Sequence, residues 1–175
     1  MNFKKKTLKN GLRIIVVPIK DAPSVTVMSM IEAGSEYETK DKNGISHFLE
    51  HMFFKGTKSR PKSIDIAKEF DGMGSVHNAF TSNEVTAYYG KSATKNFEKI
   101  LDIISDMYLN PTFPEKEMQK EKGVIIEEIN MYEDMPHRMV QYIFQNLLYG
   151  DTPAGWSILG PIENIKNMNR EDFLN

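Results

Sequence analysis

The order of strand-like and helix-like segments is the feature that most constrains the fold of this chain. Residues 3–19 contain two strand-like runs around Asn10-Gly11, the dipeptide most typical of a tight hairpin turn. Residues 24–33 alternate in a way that predicts a strand with at least one buried face. A second hairpin is predicted within residues 75–92, around Ser82-Asn83. Together these segments predict one antiparallel or mixed β-sheet.

Helical segments lie between and after the predicted strands. Residues 45–56 predict a helix that Gly56 closes, and Ser63 is the predicted N-cap of a second helix over residues 64–70. Three longer helical segments follow at residues 93–110, 114–134 and 136–148. The apolar stripe predicted for the first of these consists of Phe97, Ile100, Leu101, Ile104 and Tyr108. Strands followed by helices in this irregular order predict an α+β fold, with the sheet covered by helices.

The composition fits a single globular domain over residues 1–175. Hydrophobic residues make up 40% of the chain and charged residues 26%, which are ordinary values for such a domain. A net charge of −2 gives no electrostatic reason to expect a nucleic acid or membrane partner. The chain has no cysteine, which excludes disulfides and cysteine-bound zinc and suits a cytoplasmic location. We expect no signal peptide, because the basic N-terminal segment lacks an apolar core.

The segment HFLEHMFFKGT carries two histidines and a glutamate on a predicted helix. His47 and His51 are four residues apart, so a helix presents both imidazoles on one face. Two ligands of one zinc ion need this arrangement. Glu50 lies beside the pair and could accept a proton from a metal-bound water, whose pKa zinc lowers to about 7. The surrounding helix is apolar, so these polar side chains need partners or a function.

A second acidic segment could supply a further ligand. Glu117, Glu121 and Glu128 are spaced by four and seven residues and therefore share one face of the helix predicted over residues 114–134. Val124 and Ile125 lie between Glu121 and Glu128, on or beside that face, and indicate that it is buried. Because buried carboxylates need a charge partner, a divalent metal would satisfy Glu121 and Glu128. Glu127 points elsewhere.

The order and spacing of these segments resemble the zinc peptidase family of pitrilysin, insulin-degrading enzyme and mitochondrial processing peptidase. HFLEHMFFKGT is similar to its inverted zinc motif, H-x-x-E-H. GSVHNAFTSNEVTAYY resembles its G-x-x-x-N-A-x-T strand segment, and EKGVIIEEINMYEDMP resembles the helix with its third metal ligand. The similarity continues to GWSILGPIENI and so spans essentially the whole chain.

The resemblance implies a role for each matching residue. It implies that His47, His51 and Glu128 ligate Zn²⁺. It also implies that Glu50 is the general base of peptide hydrolysis. Glu128 follows His51 by 77 residues, the separation that the family's metal-binding glutamate implies. Glu121 matches an acid that holds a ligating histidine in place from behind.

The matching strand segment implies a substrate site. Asn78 and Ala79 match the edge strand that pairs with an extended peptide substrate. Taken alone, however, the sequence around Asn78 favours an ordinary strand position near a turn. His77 faces the opposite side of that strand, and His137 follows Pro136 at the start of a helix. We interpret both histidines as structural or exposed rather than metal-bound.

The chain departs from the family in length. Members carry a second, similar domain on the same chain or on a partner chain, and that domain helps to hold the substrate carbonyl. The sequence stops at NREDFLN as a helix begins, so we expect an incomplete N-terminal peptidase domain, one half of a two-domain unit. We expect it to act on a peptide substrate together with a second domain or partner subunit, and to cleave peptides poorly alone.

Two other functions remain open at this stage. The chain could be a non-catalytic peptide-binding or assembly subunit of the same family, or a metal-binding protein without hydrolytic activity. Subunits of the first kind usually lose part of the H-x-x-E-H set. The presence of His47, Glu50, His51 and Glu128 together therefore favours a zinc endopeptidase.

Overall fold

The computed structural model describes residues 2–174, which form two antiparallel sheets and a set of helices. The α+β class is therefore confirmed. The first hairpin pairs β1 with β2, and Lys4 lies opposite Val16. The larger sheet has three strands in the order β3-β5-β4, so β3 and β4 are its two edges. The strands are β1 Lys4–Thr7, β2 Arg13–Val16, β3 Ser24–Ile31, β4 Val76–Thr81 and β5 Thr86–Ala93.

The prediction of one common sheet is wrong within the described residues, because the first hairpin forms a separate two-stranded sheet. All eight strand residues of this hairpin are exposed. Its apolar side chains Ile14, Ile15 and Val16 are exposed, so they do not pack the hairpin against β3. The second hairpin, β4-β5, pairs as its sequence predicts, with Asn78 opposite Tyr89.

Over residues 2–174, six α-helices follow the order that the sequence predicts. They are α1 Ile45–Met52, α2 Ser63–Gly72, α3 Phe97–Leu109, α4 Glu115–Glu133, α5 Pro136–Tyr149 and α6 Ile162–Asn167. Short 3-10 turns connect several of them, including one over Arg170–Phe173. None of the helices within residues 2–174 is long and apolar enough to cross a bilayer.

Two predicted helix ends differ from the structure. α1 ends at Met52, and Gly56 lies in the following turn with φ of +138°. A Cβ at Gly56 would lie 2.5 Å from the carbonyl oxygen of Pro61, so the turn requires glycine. α2 includes Ser63, and the backbone N–H of Lys62 donates to the Asp65 carboxylate at 3.0 Å. The helix therefore begins one residue earlier than predicted.

The buried face of α3 also differs from the predicted stripe. Ile100 and Ile104 are buried as predicted, but Phe97, Leu101 and Tyr108 are each more than 40% exposed. Ile103 and Met107 are buried in their place. The face is set by β5, where Gly90 has no side chain: a Cβ there would lie 2.9 Å from Ile100.

Two buried clusters hold the elements together and meet near the end of α1. One is formed by α1, α4, α6 and the residues after them, around Phe48, Met52 and Ile125, none of which is exposed. The other lies between the three-stranded sheet and α2 and α3. Phe53 packs against both clusters. Phe48 and Met52 thus hold α1 in a fixed orientation between the sheet and α4.

Candidate active site

α1 directs its two histidines to one point, as their spacing predicts. Phe48 and Met52, each one residue after a histidine, anchor an adjacent face of the helix in the core. The Nε2 atoms of His47 and His51 lie 3.3 Å apart, and their rings meet edge to face at a centroid distance of 4.6 Å. Both nitrogens therefore converge on a common space beside the helix.

Glu128 completes this group from α4. Its Oε2 lies 3.5 Å from Nε2 of His51 and 3.7 Å from Nε2 of His47. Zinc held tetrahedrally at ~2.0–2.2 Å from each ligand would place its ligand atoms roughly 3.3–3.6 Å apart. Among residues 2–174, these three form the one cluster of histidine and carboxylate atoms with such convergence. The donor set and its spacing fit zinc.

The protonation of His47 also suits a metal ligand. Burial, together with the neighbouring His51, lowers the pKa of His47 to about 3. The imidazole is therefore neutral at physiological pH and keeps a lone pair for a cation. Its Nδ1 atom is buried and has no hydrogen-bond partner among the described residues. Because no donor there holds Nδ1 unprotonated, the ring proton can lie on Nδ1 and leave Nε2 free to bind a metal.

Glu121 lies behind His51, as the sequence predicts for a supporting carboxylate. Its Oε1 lies 2.8 Å from Nδ1 of His51, and its Oε2 accepts from Nζ of Lys55 at 2.6 Å. Burial opposes the charge of Glu121, but the hydrogen bonds to His51 and Lys55 outweigh burial and keep its pKa below the ordinary value. An ionised Glu121 needs a proton on Nδ1 of His51, which leaves Nε2 free as a ligand.

Glu50 lies on the sheet side of the same helix. The hydroxyl of Thr81, at the end of β4, donates to Oε2 of Glu50 at 2.5 Å. Burial raises the pKa of Glu50 and the nearby Glu128 adds to the effect, whereas Thr81 and His51 act in the opposite direction. A carboxylate with a raised pKa and one oxygen fixed by a hydroxyl is suited to accept a proton on its other oxygen.

The N-terminus of α1 is held by a residue that sequence reasoning missed. Glu38 is buried and its carboxylate accepts from the backbone N–H groups of Gly44 at 2.8 Å and Ser46 at 2.7 Å. It also accepts from the side-chain amide of Asn43 at 2.8 Å. No side chain at the N-cap position itself performs this role, since that residue is Gly44. A carboxylate seven residues before the helix start has no local sequence signature.

The predicted substrate residues lie on an edge strand, beside the site. β4 is paired on one side only, to β5, and it carries Thr81 to Glu50. Asn78 is exposed, and its side-chain oxygen accepts from the N–H of Ala79 at 2.9 Å. The side chain of Asn78 thus holds the backbone N–H of the next residue on this strand. His77 is on the opposite face and stacks on Phe70 at 4.2 Å.

The structure brings together His47, Glu50, His51, Glu121 and Glu128, and it places Asn78 and Ala79 on the neighbouring strand. His137 is exposed at the start of α5, away from this group. Lys55 was missed as a partner of Glu121, because it lies in the turn after α1 and outside the helical pattern. Thr81 was missed as a partner of Glu50, and only its place in the strand motif hinted at a role.

Comparisons with known proteins agree with this geometry. The family model described as Insulinase (Peptidase family M16) matches residues 13–162. The uncharacterized zinc protease YmxG of Bacillus subtilis is 43% identical over 171 residues, which cover 98% of this chain and 42% of that protein. The β subunit of the mitochondrial-processing peptidase of Bos taurus is 41% identical, over 95% of this chain and 34% of its own length.

A solved structure shows the same fold. A protease from Helicobacter pylori superimposes with a TM-score of 0.92 at 30% identity, over 99% of this chain and 42% of that one. The chain therefore spans less than half the length of the proteins it matches.

Proposed function

This chain belongs to the insulinase family of M16 peptidases, and on that premise we propose that it provides the zinc site and general base of an endopeptidase. The observation that carries the proposal is the triangle formed by Nε2 of His47, Nε2 of His51 and Oε2 of Glu128, with sides of 3.3, 3.5 and 3.7 Å. Glu50 lies beside it with one oxygen held by Thr81.

The three residues of the triangle would hold the zinc ion, and the names of the relatives support that choice of metal. Zinc, when bound, supplies a Lewis acid that polarises a substrate carbonyl and makes a water molecule acidic near neutral pH. Glu121 fixes His51 in the tautomer that leaves Nε2 unprotonated. The neutral state of buried His47 completes a set of ligands that is ready for the cation.

Glu50 performs the proton transfers. It accepts a proton from the attacking water as the peptide carbonyl is converted to a tetrahedral carbon, and it then donates that proton to the leaving amine. Its raised pKa helps it to hold the proton between the two steps. The hydrogen bond from Thr81 fixes one oxygen, so that the other keeps a constant direction throughout the reaction.

The substrate would be an extended peptide that adds to the free edge of β4. Main-chain hydrogen bonds to an edge strand give affinity with little demand on sequence. Asn78 and Ala79 lie on this strand, where the N–H of Ala79 donates to the side chain of Asn78. A peptide in this position would run past Thr81 toward Glu50 and the two histidines.

We further propose that the chain works with a second peptidase domain, on the same chain or on a partner. Its matches cover 42% of the Bacillus and Helicobacter proteins and 34% of the mitochondrial β subunit. On this proposal the 175-residue chain binds zinc by itself but hydrolyses peptides slowly unless a second domain is supplied. Rapid, chelator-sensitive hydrolysis by the chain alone would contradict this part of the proposal.

Metal analysis combined with a peptide assay tests the site. The wild-type chain should bind one zinc ion, Glu128→Gln should bind it much more weakly, and Glu127→Gln, an exposed neighbour, should bind normally. Glu50→Gln should keep zinc and lose hydrolysis of an unstructured, fluorescence-quenched peptide by a factor of about 100 or more. Failure of the wild type to bind zinc, or normal turnover by Glu50→Gln, would refute the mechanism.

The alternative of a non-catalytic subunit makes a different prediction. Such a subunit would bind peptide equally well with and without zinc and would show no hydrolysis when a second domain is added. The arrangement of Glu50 beside the metal-ligand triangle disfavours it, because a peptide-binding role needs neither a fixed carboxylate nor convergent imidazoles.

A further inference from the structure

We propose that Lys55 is a positioning residue for the metal site, acting through Glu121 on His51. The inference rests on the proposed zinc site and extends it by one residue that carries no part of the H-x-x-E-H motif. It is drawn from the two separate contacts of the Glu121 carboxylate, one with each side chain.

The geometry gives Lys55 a defined place. It lies in the turn three residues after the end of α1, where its backbone N–H donates to the carbonyl of Met52 at 3.0 Å. Glu121 approaches from α4 and lies between His51 and Lys55, with Oε1 at 2.8 Å from Nδ1 of His51 and Oε2 at 2.6 Å from Nζ of Lys55. Both oxygens are thus held, and the carboxylate cannot rotate about its bond without losing one partner.

Burial makes this constraint strong. The side chain of Glu121 is 8% exposed and that of Lys55 is 22% exposed, so water replaces neither contact easily. Without Lys55 the second oxygen of Glu121 would lack its cation within a largely buried space, which favours rotation or displacement of the carboxylate. His51 would then lose the fixed acceptor for its Nδ1 proton, and the direction of its Nε2 lone pair would become less defined.

A purely electrostatic role for Lys55 predicts the opposite sign. The site contains the carboxylates of Glu50, Glu121 and Glu128, and Lys55 is the cation paired with this group. Removing a positive charge makes the site more attractive to Zn²⁺, so charge alone predicts tighter binding in Lys55→Met. Positioning predicts weaker binding. The direction of the change therefore separates the two roles.

The test measures zinc affinity of the 175-residue chain by competition with a chromophoric chelator. We expect Lys55→Met to weaken zinc binding about tenfold, the lower end of the usual effect of a residue behind a metal ligand. Lys55→Arg keeps a cationic donor to Glu121 and should recover most of the loss. Lys58→Met removes the same charge from an exposed position three residues away and should match the wild type. Cobalt substitution should show an altered visible spectrum in Lys55→Met only.

A double-mutant cycle with Glu121→Gln tests the route. If Lys55 acts through Glu121, Lys55→Met should cause no further loss of zinc affinity when Glu121 is already glutamine. An equal loss in both backgrounds, unchanged affinity in Lys55→Met, or tighter binding would overturn the proposal.

A measurement without metal separates this inference from the proposed function. Nitrogen-15 NMR of the imidazoles should place the proton of neutral His51 on Nδ1 in the wild type and on a mixture of both nitrogens in Lys55→Met. If the wild type bound no zinc but this tautomer change occurred, the proposed function would fail and the positioning role of Lys55 would stand. If zinc bound tightly and neither tautomer nor affinity changed, only the inference would fail.

Discussion

The carboxylate of Glu38 makes a sharp prediction about the stability of the helix that carries the site. Its Oε2 accepts from the side chain of Asn43 and the N–H of Gly44, and its Oε1 accepts from the N–H of Ser46. In Glu38→Gln an amide NH₂ must replace one of these oxygens. Whichever oxygen is replaced, at least one buried N–H donor then faces another donor.

The magnitude follows from the hydrogen bond and the negative charge that this substitution removes. One hydrogen bond to a charged group contributes ~1.5–3 kcal/mol, and a negative charge at a helix N-terminus contributes ~0.3–1 kcal/mol. We therefore expect Glu38→Gln to lower the free energy of unfolding by about 2–4 kcal/mol. For a chain of this size, a change of ~3 kcal/mol lowers Tm by roughly 6–12 °C.

Thermal and urea unfolding, followed by circular dichroism, measure this effect. Glu36→Gln is the matched control, because it removes the same charge from an exposed residue of the same turn. We expect it to change Tm by no more than about 2 °C, in line with surface substitutions of ~0.5 kcal/mol or less. If Glu38→Gln unfolded at the temperature of the control, the carboxylate would not be stabilising α1 and the reasoning would be wrong.

Three further predictions test other interactions in the fold. Thr81→Val should reduce peptide hydrolysis about tenfold with zinc affinity unchanged, because Glu50 loses the hydroxyl donor at 2.5 Å. Thr81→Ser keeps a hydroxyl and should retain most of the wild-type rate. Equal rates for Thr81→Val and the wild type would contradict this role. Arg60 is 9% exposed and pairs with Asp106 at 2.7 Å, so Arg60→Met should lower the free energy of unfolding by ~3–5 kcal/mol at pH 7. Although burial opposes its charge, hydrogen bonds from Thr57 and Arg60 hold the pKa of Asp106 below its usual value. The stability that this carboxylate contributes is therefore fully present above about pH 4 and is lost as the pH falls below that value. Urea titrations over this pH range should show a smaller loss of stability in Arg60→Met than in the wild type. Tyr88→Phe should raise stability by up to ~1 kcal/mol, since its buried hydroxyl has no partner within residues 2–174; a loss of stability would mean that the hydroxyl forms a hydrogen bond in solution.

The helix α3 shows where a sequence pattern is insufficient. Phe97, Leu101 and Tyr108 share a helical row with Ile104, but so do Ile100, Ile103 and Met107, and both rows repeat with the period of a helix. Packing against the sheet decides which row is buried, because Gly90 of β5 has no side chain and leaves room for Ile100. Periodicity therefore predicted a helix and most of its length, but it could not predict which neighbour that helix meets.

The position of Glu128 beside the histidines shows what residue spacing could and could not predict about the site. Spacing alone placed His47 and His51 together, since four residues of helix fix their relation whatever surrounds them. Spacing also put Glu121 and Glu128 on one face of α4. Which of the two approached the Nε2 atoms was suggested only by resemblance to a family. The structure puts Glu128 there and Glu121 behind His51.

The order of the segments was enough to predict the α+β class. Patterns within single segments predicted the β4-β5 hairpin, the two imidazoles on one face of α1, and the shared face of Glu121 and Glu128 on α4. Contacts between elements were needed to show that Lys55 holds Glu121, that Thr81 holds Glu50 across 31 residues of chain, and that Glu38 caps α1. The physical reason is range: backbone geometry fixes residues within one helix or strand, whereas contacts between elements depend on how separate apolar faces pack.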